Sequence, residues 1–194
     1  MEDTRKKVLI IGGATTSGES TVTRLLTEQH HNLVRVVTAT SREMRSGEAE
    51  GREYYFFSKK EFLERVKSGD IIEHTYVELR DVYYGTYKKD LETKMSLGKI
   101  VVINTDVVAV RYFRERYHIL AIFIDLPSFD VIGPRLLRRN PETTEEMIAL
   151  RVKQAEMEIV NERGEYDYHV MNEEGALEMT MEKVQKILSK EEYI

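Results

Sequence analysis

The stretch KVLIIGGATTSGESTVTRLLTE, residues 7–28, constrains the fold more than any other part of the chain. Lys7 to Gly13 is a short continuous apolar run closed by glycines, which reads as a buried parallel strand. From Ser20 to Glu28 the apolar residues Val22, Leu25 and Leu26 have helical spacing. A glycine-marked loop therefore joins a strand to a helix. Phosphate-binding loops sit in that context and follow the pattern G-x-x-x-x-G-K-[ST]. Here Gly13, Thr15, Thr16, Ser17 and Gly18 lead into Glu19, Ser20 and Thr21. An acid stands where the pattern has lysine. Glycines let successive backbone N–H groups surround phosphate oxygens. The helix presents its positive end to the same anion. Ser20 offers the hydroxyl that such loops use to hold Mg²⁺. None of these three functions needs lysine. A glycine turn with no ligand is the plain alternative at this point.

The rest of the chain alternates in type. LVRVVTAT reads as a second strand, SKKEFLERVKSG as a helix and IIEHTYVELRDVYYGT as strands with a turn near Arg80 and Asp81. The helix carries a capping box, Ser58 with Glu61, and a stop at Gly69. YKKDLETKMSLG is helical, KIVVINTD is a buried strand ending in Asp106, and DVVAVRYFRERY is helical. ILAIFIDLP is a further buried strand and PETTEEMIALRVKQAEMEIVNERGE a long amphipathic helix. YDYHVMN and GALEMTMEKVQKIL close the chain as strand and helix. This order predicts an α/β fold with a mostly parallel sheet. In such sheets ligands bind outside the carboxyl ends of the strands. Gly13, Thr40, Asn104, Asp106 and Pro127 all fall at strand ends, so one crevice is expected.

Composition narrows the class. The chain of 194 residues is long enough for one domain with a sizeable core. It has no cysteine, which excludes disulfides and thiolate metal sites and points to a reducing cytoplasmic home. A net charge of −5 argues against a general nucleic-acid coat but leaves room for a local basic pocket. The apolar run near the N-terminus is too short for a signal peptide or a membrane span. His30 with His31 reads as a polar helix end, and His169 as a packed strand residue.

A second polar stretch, TSREMRSGEAEGREYYF, carries Arg42, Arg45 and Glu48. Arginine binds phosphate bidentately. A carboxylate can accept two N–H groups from the edge of a guanine ring. Tyr54, Glu73 and Tyr84 add hydroxyls and another carboxylate. A charged, turn-rich surface segment is the bland alternative.

The segments TSREMRSGE, GREYYFFS, IIEH, VYYGT, VVINTDVVAV, LPSFDVIGPRLLRR, TTEEMIALRV and YDYHVMNE occur in the order found in guanylate kinases. From about Val8 to the final helix the chain resembles that family. The resemblance implies a three-layer P-loop fold with an inserted GMP-binding subdomain and a short lid. The single domain would divide into a core at about 1–37, 94–130 and 152–194, a GMP-binding region at about 38–93 and a lid at about 131–151. Arg42, Arg45, Tyr54 and Tyr84 would hold the GMP phosphate, and Thr38 would lie at the entrance. Glu73, Thr86 and Asp106, with Glu48, would surround the guanine. Arg135, Arg139 and Arg151 would close over the donor phosphates, and Asn172 would sit near the adenine. The implied reaction uses ATP with Mg²⁺ at Ser20 and accepts GMP or dGMP, in a monomer or homodimer. No nucleic acid or membrane takes part.

The chain departs from the family pattern at several places. Glu19 replaces the loop lysine and Asn104 replaces an acid. MRSG lacks the usual prolines, Gly133–Pro134 should interrupt the helix leading to Arg135, and the stretch before Tyr83 is about two residues longer. Lys6, Lys7, Arg138, Arg139 or a bound cation could supply the missing positive charge. Glu19 itself should swing into solvent or coordinate that cation. Two readings follow: a kinase with an altered donor site, or a module that binds GMP or a phosphorylated partner without transfer. A kinase for another nucleoside monophosphate or a phosphorylated sugar is a third.

Overall fold

The computed structural model describes residues 7–194. Lys6, one of the candidate basic side chains, lies outside the described residues. The chain forms β1 (Lys7–Gly13), α1 (Glu19–Gln29), β2 (Leu33–Arg35), β3 (Ala39–Thr40), β4 (Tyr55–Phe56) and α2 (Lys59–Ser68). It continues with β5 (Ile71–Val77), β6 (Val82–Tyr87), α3 (Lys88–Met95), β7 (Ile100–Asn104), α4 (Val107–Arg114) and β8 (His118–Asp125). It ends with α5 (Ile132–Arg139), α6 (Glu145–Glu162), β9 (Tyr168–Met171) and α7 (Leu177–Lys190).

Two sheets result. The larger has five parallel strands in the order β2-β7-β1-β8-β9. Its central strand β1 alternates sides as a strand must. Val8 and Ile10 pack with residues of α3, α4 and α6 on one face. Leu9 and Ile11 pack with Val22 and Leu26 of α1 and with Met181, Val184 and Leu188 of α7 on the other. Each such fully buried aliphatic side chain contributes about 1.5–3 kcal/mol. The sheet is thus the middle of three layers. The smaller sheet, β4-β3-β6-β5, is mixed, and its own core of Ala39, Phe62 and Ile71 lies under α2. The helix α2 starts at the expected capping box: Glu61 N–H donates to Ser58 Oγ at 3.3 Å, and Ser58 N–H to Glu61 Oε2 at 2.9 Å.

Several expectations need correction. LVRVVTAT is not one strand. Leu33–Arg35 pairs with β7 in the large sheet, while Ala39–Thr40 joins the small one. Between them the backbone changes partner: Val36 N–H donates to Val102 O at 2.8 Å, and Val37 N–H to Asp90 Oδ2 at 2.8 Å. The chain crosses between sheets there. KIVVINTD stops at Asn104, and Asp106 instead caps α4. Gly133–Pro134 does not interrupt α5. Pro134 lies in its first turn, where a missing N–H costs little, and a 3-10 turn at Phe129–Val131 leads in. Helix α6 runs unbroken through the expected lid boundary at 151, and Leu91 and Met95 of α3 pack into the main core.

Candidate active site

The loop after β1 is shaped by buried contacts. A Cβ on Gly13 would lie 2.3 Å from Ser17 Oγ and 2.7 Å from Ile124 O, so only glycine fits. Gly18 has φ 99 and sits against Asn172, whose Nδ2 would be 2.5 Å from an added Cβ. Asn172 donates through Nδ2 to Ser17 O at 2.7 Å and accepts from Thr180 Oγ1 at 3.1 Å. Its side chain is therefore used to hold the loop. Thr16 has φ 66, in the left-handed region. Thr15 N–H donates to Glu158 Oε2 at 3.0 Å, and Gln154 Nε2 donates to Glu158 Oε1 at 2.5 Å. Beside the loop, a cavity of about 280 Å³ is lined by Thr16, Gly18, Thr21, Arg135, Arg138 and Asn172, among others.

Glu19 neither swings into solvent nor stands apart. It opens α1, and its carboxylate accepts from Ser17 Oγ at 2.9 Å and from Ser20 Oγ at 3.5 Å. Burial pushes its carboxyl up, opposed by those hydroxyls and by Arg139. The carboxylate so takes a place in the loop that its own anion-binding groups favour. Beneath it, Asn104 Nδ2 donates to Thr23 Oγ1 at 2.8 Å and to Ile11 O at 3.3 Å, while Oδ1 is buried and without a partner.

The proposed replacements for the lysine sort themselves by position. Lys7 Nζ donates to Glu192 O at 2.7 Å and lies 5.2 Å from the Tyr193 ring, at the start of β1 and away from the loop. That expectation is therefore corrected. Arg138 pairs with Glu174 at 2.7 Å. Among the described candidates, Arg139 is the one that acts electrostatically on Glu19.

Across the crevice, Arg42 makes two bonds of 2.6 Å to Glu48 and stacks at 5.0 Å on Tyr54 and 5.4 Å on Phe56. Arg45 N–H also donates to Glu48, at 2.8 Å. Burial alone would raise the Glu48 carboxyl, but the Arg42 bond and the two arginine charges hold it below the usual range. Glu48 thus stands with the arginines and not with Glu73, which corrects its expected place. Both its oxygens are spent on Arg42 and Arg45. Tyr54 and Tyr84 face each other at 5.8 Å. Thr38 is buried on the crossing between the sheets.

Glu73, Thr86 and Asp106 do come together. Thr86 Oγ1 donates to Glu73 Oε1 at 2.5 Å, and both residues are buried. Burial pushes the Glu73 carboxyl up to about 7, opposed by Thr86 and reinforced by Asp106. Asp106 accepts from Val108 N–H at 3.0 Å through Oδ1.

The three expected lid arginines divide. Arg135 donates to Thr16 O and Asn172 O, each at 3.0 Å, so its guanidinium is fastened to the loop after β1 and to the segment after β9. Arg139 is exposed and acts electrostatically on both Glu19 and Arg45. Arg151 donates to Gln154 at 3.1 Å, and its guanidinium is pushed down to about 10, first by burial and then by Arg80. Arg80, Gln154 and Glu158 were not among the expected site residues. Glu158 could have been found from its helical spacing to Arg151, whereas Arg80 gave no such signal.

Comparison with known proteins agrees with this geometry. The guanylate kinase family model matches residues 5–191. A guanylate kinase of Clostridium perfringens is 33% identical over 188 residues, covering 96% of this chain and 84% of the relative. One of Porphyromonas gingivalis is 40% identical over 156 residues, covering 79% and 82%. The crystal structure of guanylate kinase from Anaplasma phagocytophilum superposes with a TM-score of 0.73 at 32% identity, over 97% of this chain and 87% of that one.

Proposed function

Since the chain belongs to the guanylate kinase family, we propose that it moves the γ-phosphoryl group of ATP to GMP in the crevice between its two sheets. The observation that carries this reading is a set of arginines from three segments: Arg42, bonded to Glu48 and stacked on Tyr54, with Arg45 beside it, and Arg139 and Arg151 within electrostatic reach of Arg45. Of these, Arg45, Arg139 and Arg151 have no carboxylate bonded to the side chain among the described residues. Like charges held together in a low-dielectric cleft need an anion between them.

In this reading GMP enters the small-sheet side. Arg42, Arg45, Tyr54 and Tyr84 hold its phosphate, with Glu48 fixing the plane of the Arg42 guanidinium. Glu73, Thr86 and Asp106 take the guanine edge, where an ionised Glu73 accepts the ring N–H groups. ATP lies along the donor wall, its phosphates in the loop at Gly13, Thr15, Thr16, Ser17, Gly18, Ser20 and Thr21. Its base occupies the cavity beside Arg135 and Asn172. Phosphoryl transfer asks the protein mainly for in-line placement and charge on the equatorial oxygens. Arg139 and Arg151, on the helices expected to form a lid, supply that charge and exclude water.

The donors fit Mg²⁺. Ser20 is exposed in the first turn of α1, Glu19 is beside it, and Asn104 leaves a buried oxygen unpartnered. All are oxygen ligands, as a hard cation requires. Among the described residues no group of three or more His, Cys, Asp or Glu could hold a metal. The ion would therefore come with the nucleotide, and Ser20 would hold it. When bound it neutralises charge between the β- and γ-phosphates. Among the described residues no helix is long and apolar enough to cross a membrane. The proposal places the reaction in the cytoplasm.

Purified protein given Mg·ATP and GMP should form GDP at a rate far above that of Arg42→Ala. Equal rates would end the kinase reading and leave GMP binding without transfer.

A further inference from the structure

Arg80 ends the turn between β5 and β6, the segment expected from the sequence to run about two residues longer than the family pattern. The turn is a 3-10 turn, Glu78–Arg80, closed by Asp81 with φ 53. Asp81 is tied outward: it accepts from Tyr76 Oη at 2.7 Å and pairs with Lys59. Arg80 goes the other way. Its guanidinium carbon lies 5.2 Å from the centroid of the Tyr84 ring. Its Nε is buried and has no hydrogen-bond partner. Nor does any carboxylate pair with it among the described residues. A buried donor in that state is costly unless something else fills its place.

The neighbours say what is missing. Arg80 acts on Arg151 and on Glu158, two residues of one face of α6. Glu158 also feels Glu19, and it holds the loop through Thr15 N–H at 3.0 Å. Arg80 therefore stands within electrostatic reach of the wall behind the phosphate loop, although it comes from the opposite sheet. Arg151 in turn feels Arg45. Two guanidinium groups from other segments, Arg80 and Arg45, thus act on Arg151. Near the loop, Arg139 faces Glu19 and at most cancels its charge. The family pattern would have a net positive charge there. A further cation is required to restore it, and Arg80 is one whose donors are unspent.

We propose that Arg80 contacts the phosphate groups that meet between the two nucleotides, and that it supplies part of the positive charge given up by the loop at Glu19. The turn between β5 and β6 delivers it. With phosphate present, the buried Nε gains an acceptor and the repulsion among Arg45, Arg80 and Arg151 is relieved. Both gains appear only in the loaded enzyme, so the side chain acts on bound phosphates and does little for the empty fold. The inference rests on the kinase reading.

The test compares wild type, Arg80→Ala, Arg80→Lys, Glu19→Lys and the double variant Glu19→Lys/Arg80→Ala. GDP formation from Mg·ATP and GMP is measured. So is calorimetric binding of an analogue in which five phosphates join adenosine and guanosine. Arg80→Ala should lower kcat by about 10²- to 10³-fold, the scale of losing one preorganised donor, and weaken the analogue by at least about 10-fold. Arg80→Lys should recover part of both losses. Glu19→Lys in the Arg80→Ala background should recover most of the turnover, which a merely structural defect would not allow. The proposal is overturned if Arg80→Ala lies within about twofold of wild type in both assays, or if neither second substitution recovers any loss. A wild type with no turnover would sink the kinase reading alone, because analogue binding would still decide on Arg80.

Discussion

The phosphate loop and the small sheet face each other across one crevice, yet they are built differently. The loop takes its shape from backbone and from buried fillers: Ser17 against Gly13, Asn172 against Gly18, Glu158 on Thr15 N–H. The small sheet has a modest core of Ala39, Phe62 and Ile71, and it carries its chemistry on charged side chains such as Arg42 and Glu48. A site made of N–H groups keeps most of its function when one side chain changes sign. A site made of guanidinium groups does not. This difference explains how a chain can carry Glu19 and still belong to a kinase family.

The largest expected effect is therefore on the small-sheet side. Arg42→Ala should lower kcat/KM for GMP by about 10³-fold or more, since a charge-assisted bidentate contact and its stacking on Tyr54 are lost together. It should move KM for ATP little. Steady-state kinetics with each substrate varied in turn would show it. Equal losses for both substrates would break the division of labour between the two regions.

Next in size is the titration of Glu73. Its carboxyl keeps its proton up to about 7 in the folded chain, against 4.5 for the free group. The folded state then binds more protons than the unfolded state between those values. Stability should fall as pH rises through that window, by about 3 kcal/mol once Glu73 is fully ionised. GMP affinity should rise over the same window, because guanine needs the ionised acceptor. Glu73→Gln should remove both trends. Glu162, raised to about 8 first by burial and then by Asp106, leaves a similar but later fall in stability that the variant retains. Melting curves and GMP titrations at several pH values separate the two groups. A GMP affinity that ignores pH in the wild type would take Glu73 out of the guanine site.

Gly13→Ala tests the backbone half. The new Cβ would collide with Ser17 Oγ and with the fixed carbonyl of Ile124, at 2.3 and 2.7 Å. Overpacking of this kind costs about 1–3 kcal/mol. The loop must shift, so KM for ATP should rise at least about 10-fold while GMP binding holds. An unchanged KM for ATP would mean that the cradle is not set by its backbone.

Much of this was legible in residue order, and the exceptions share a cause. The strand–loop–helix could be read because an apolar run, two glycines and a helical spacing are all local. The capping box at Ser58 and Glu61 is local too. The break in LVRVVTAT was not legible, because it depends on Val102 and Asp90, which are distant in sequence and receive the backbone N–H groups. Both halves look equally strand-like. Pro134 misled because its position in a helix depends on the 3-10 turn that leads in. Glu48 could be recognised as functional, but its partner could not, since a carboxylate suits an arginine as well as a guanine. Arg80 looked like any arginine in a turn. Its meaning lies in a buried, unpartnered nitrogen, which no sequence displays.

The smallest expected effect sharpens the comparison most. Glu19 places its carboxylate against Ser17 Oγ at 2.9 Å, at the mouth of a helix that attracts anions. An incoming phosphate must share that region with it. At about 4 Å and an effective dielectric near 20, two unit charges interact by about 4 kcal/mol, so the repulsion would be severe if nothing answered it. Arg139 answers it directly, and a rise in the carboxyl's proton affinity eases it further. Glu19→Gln removes the charge and keeps the shape. It should lower KM for ATP by about three- to tenfold and leave kcat within about threefold. A modest gain of that kind means the loop binds by its backbone and merely tolerates the acid. A collapse of kcat would instead show that the carboxylate has acquired work of its own, through Ser17 or the ion at Ser20, and the two halves of the site would no longer differ in kind.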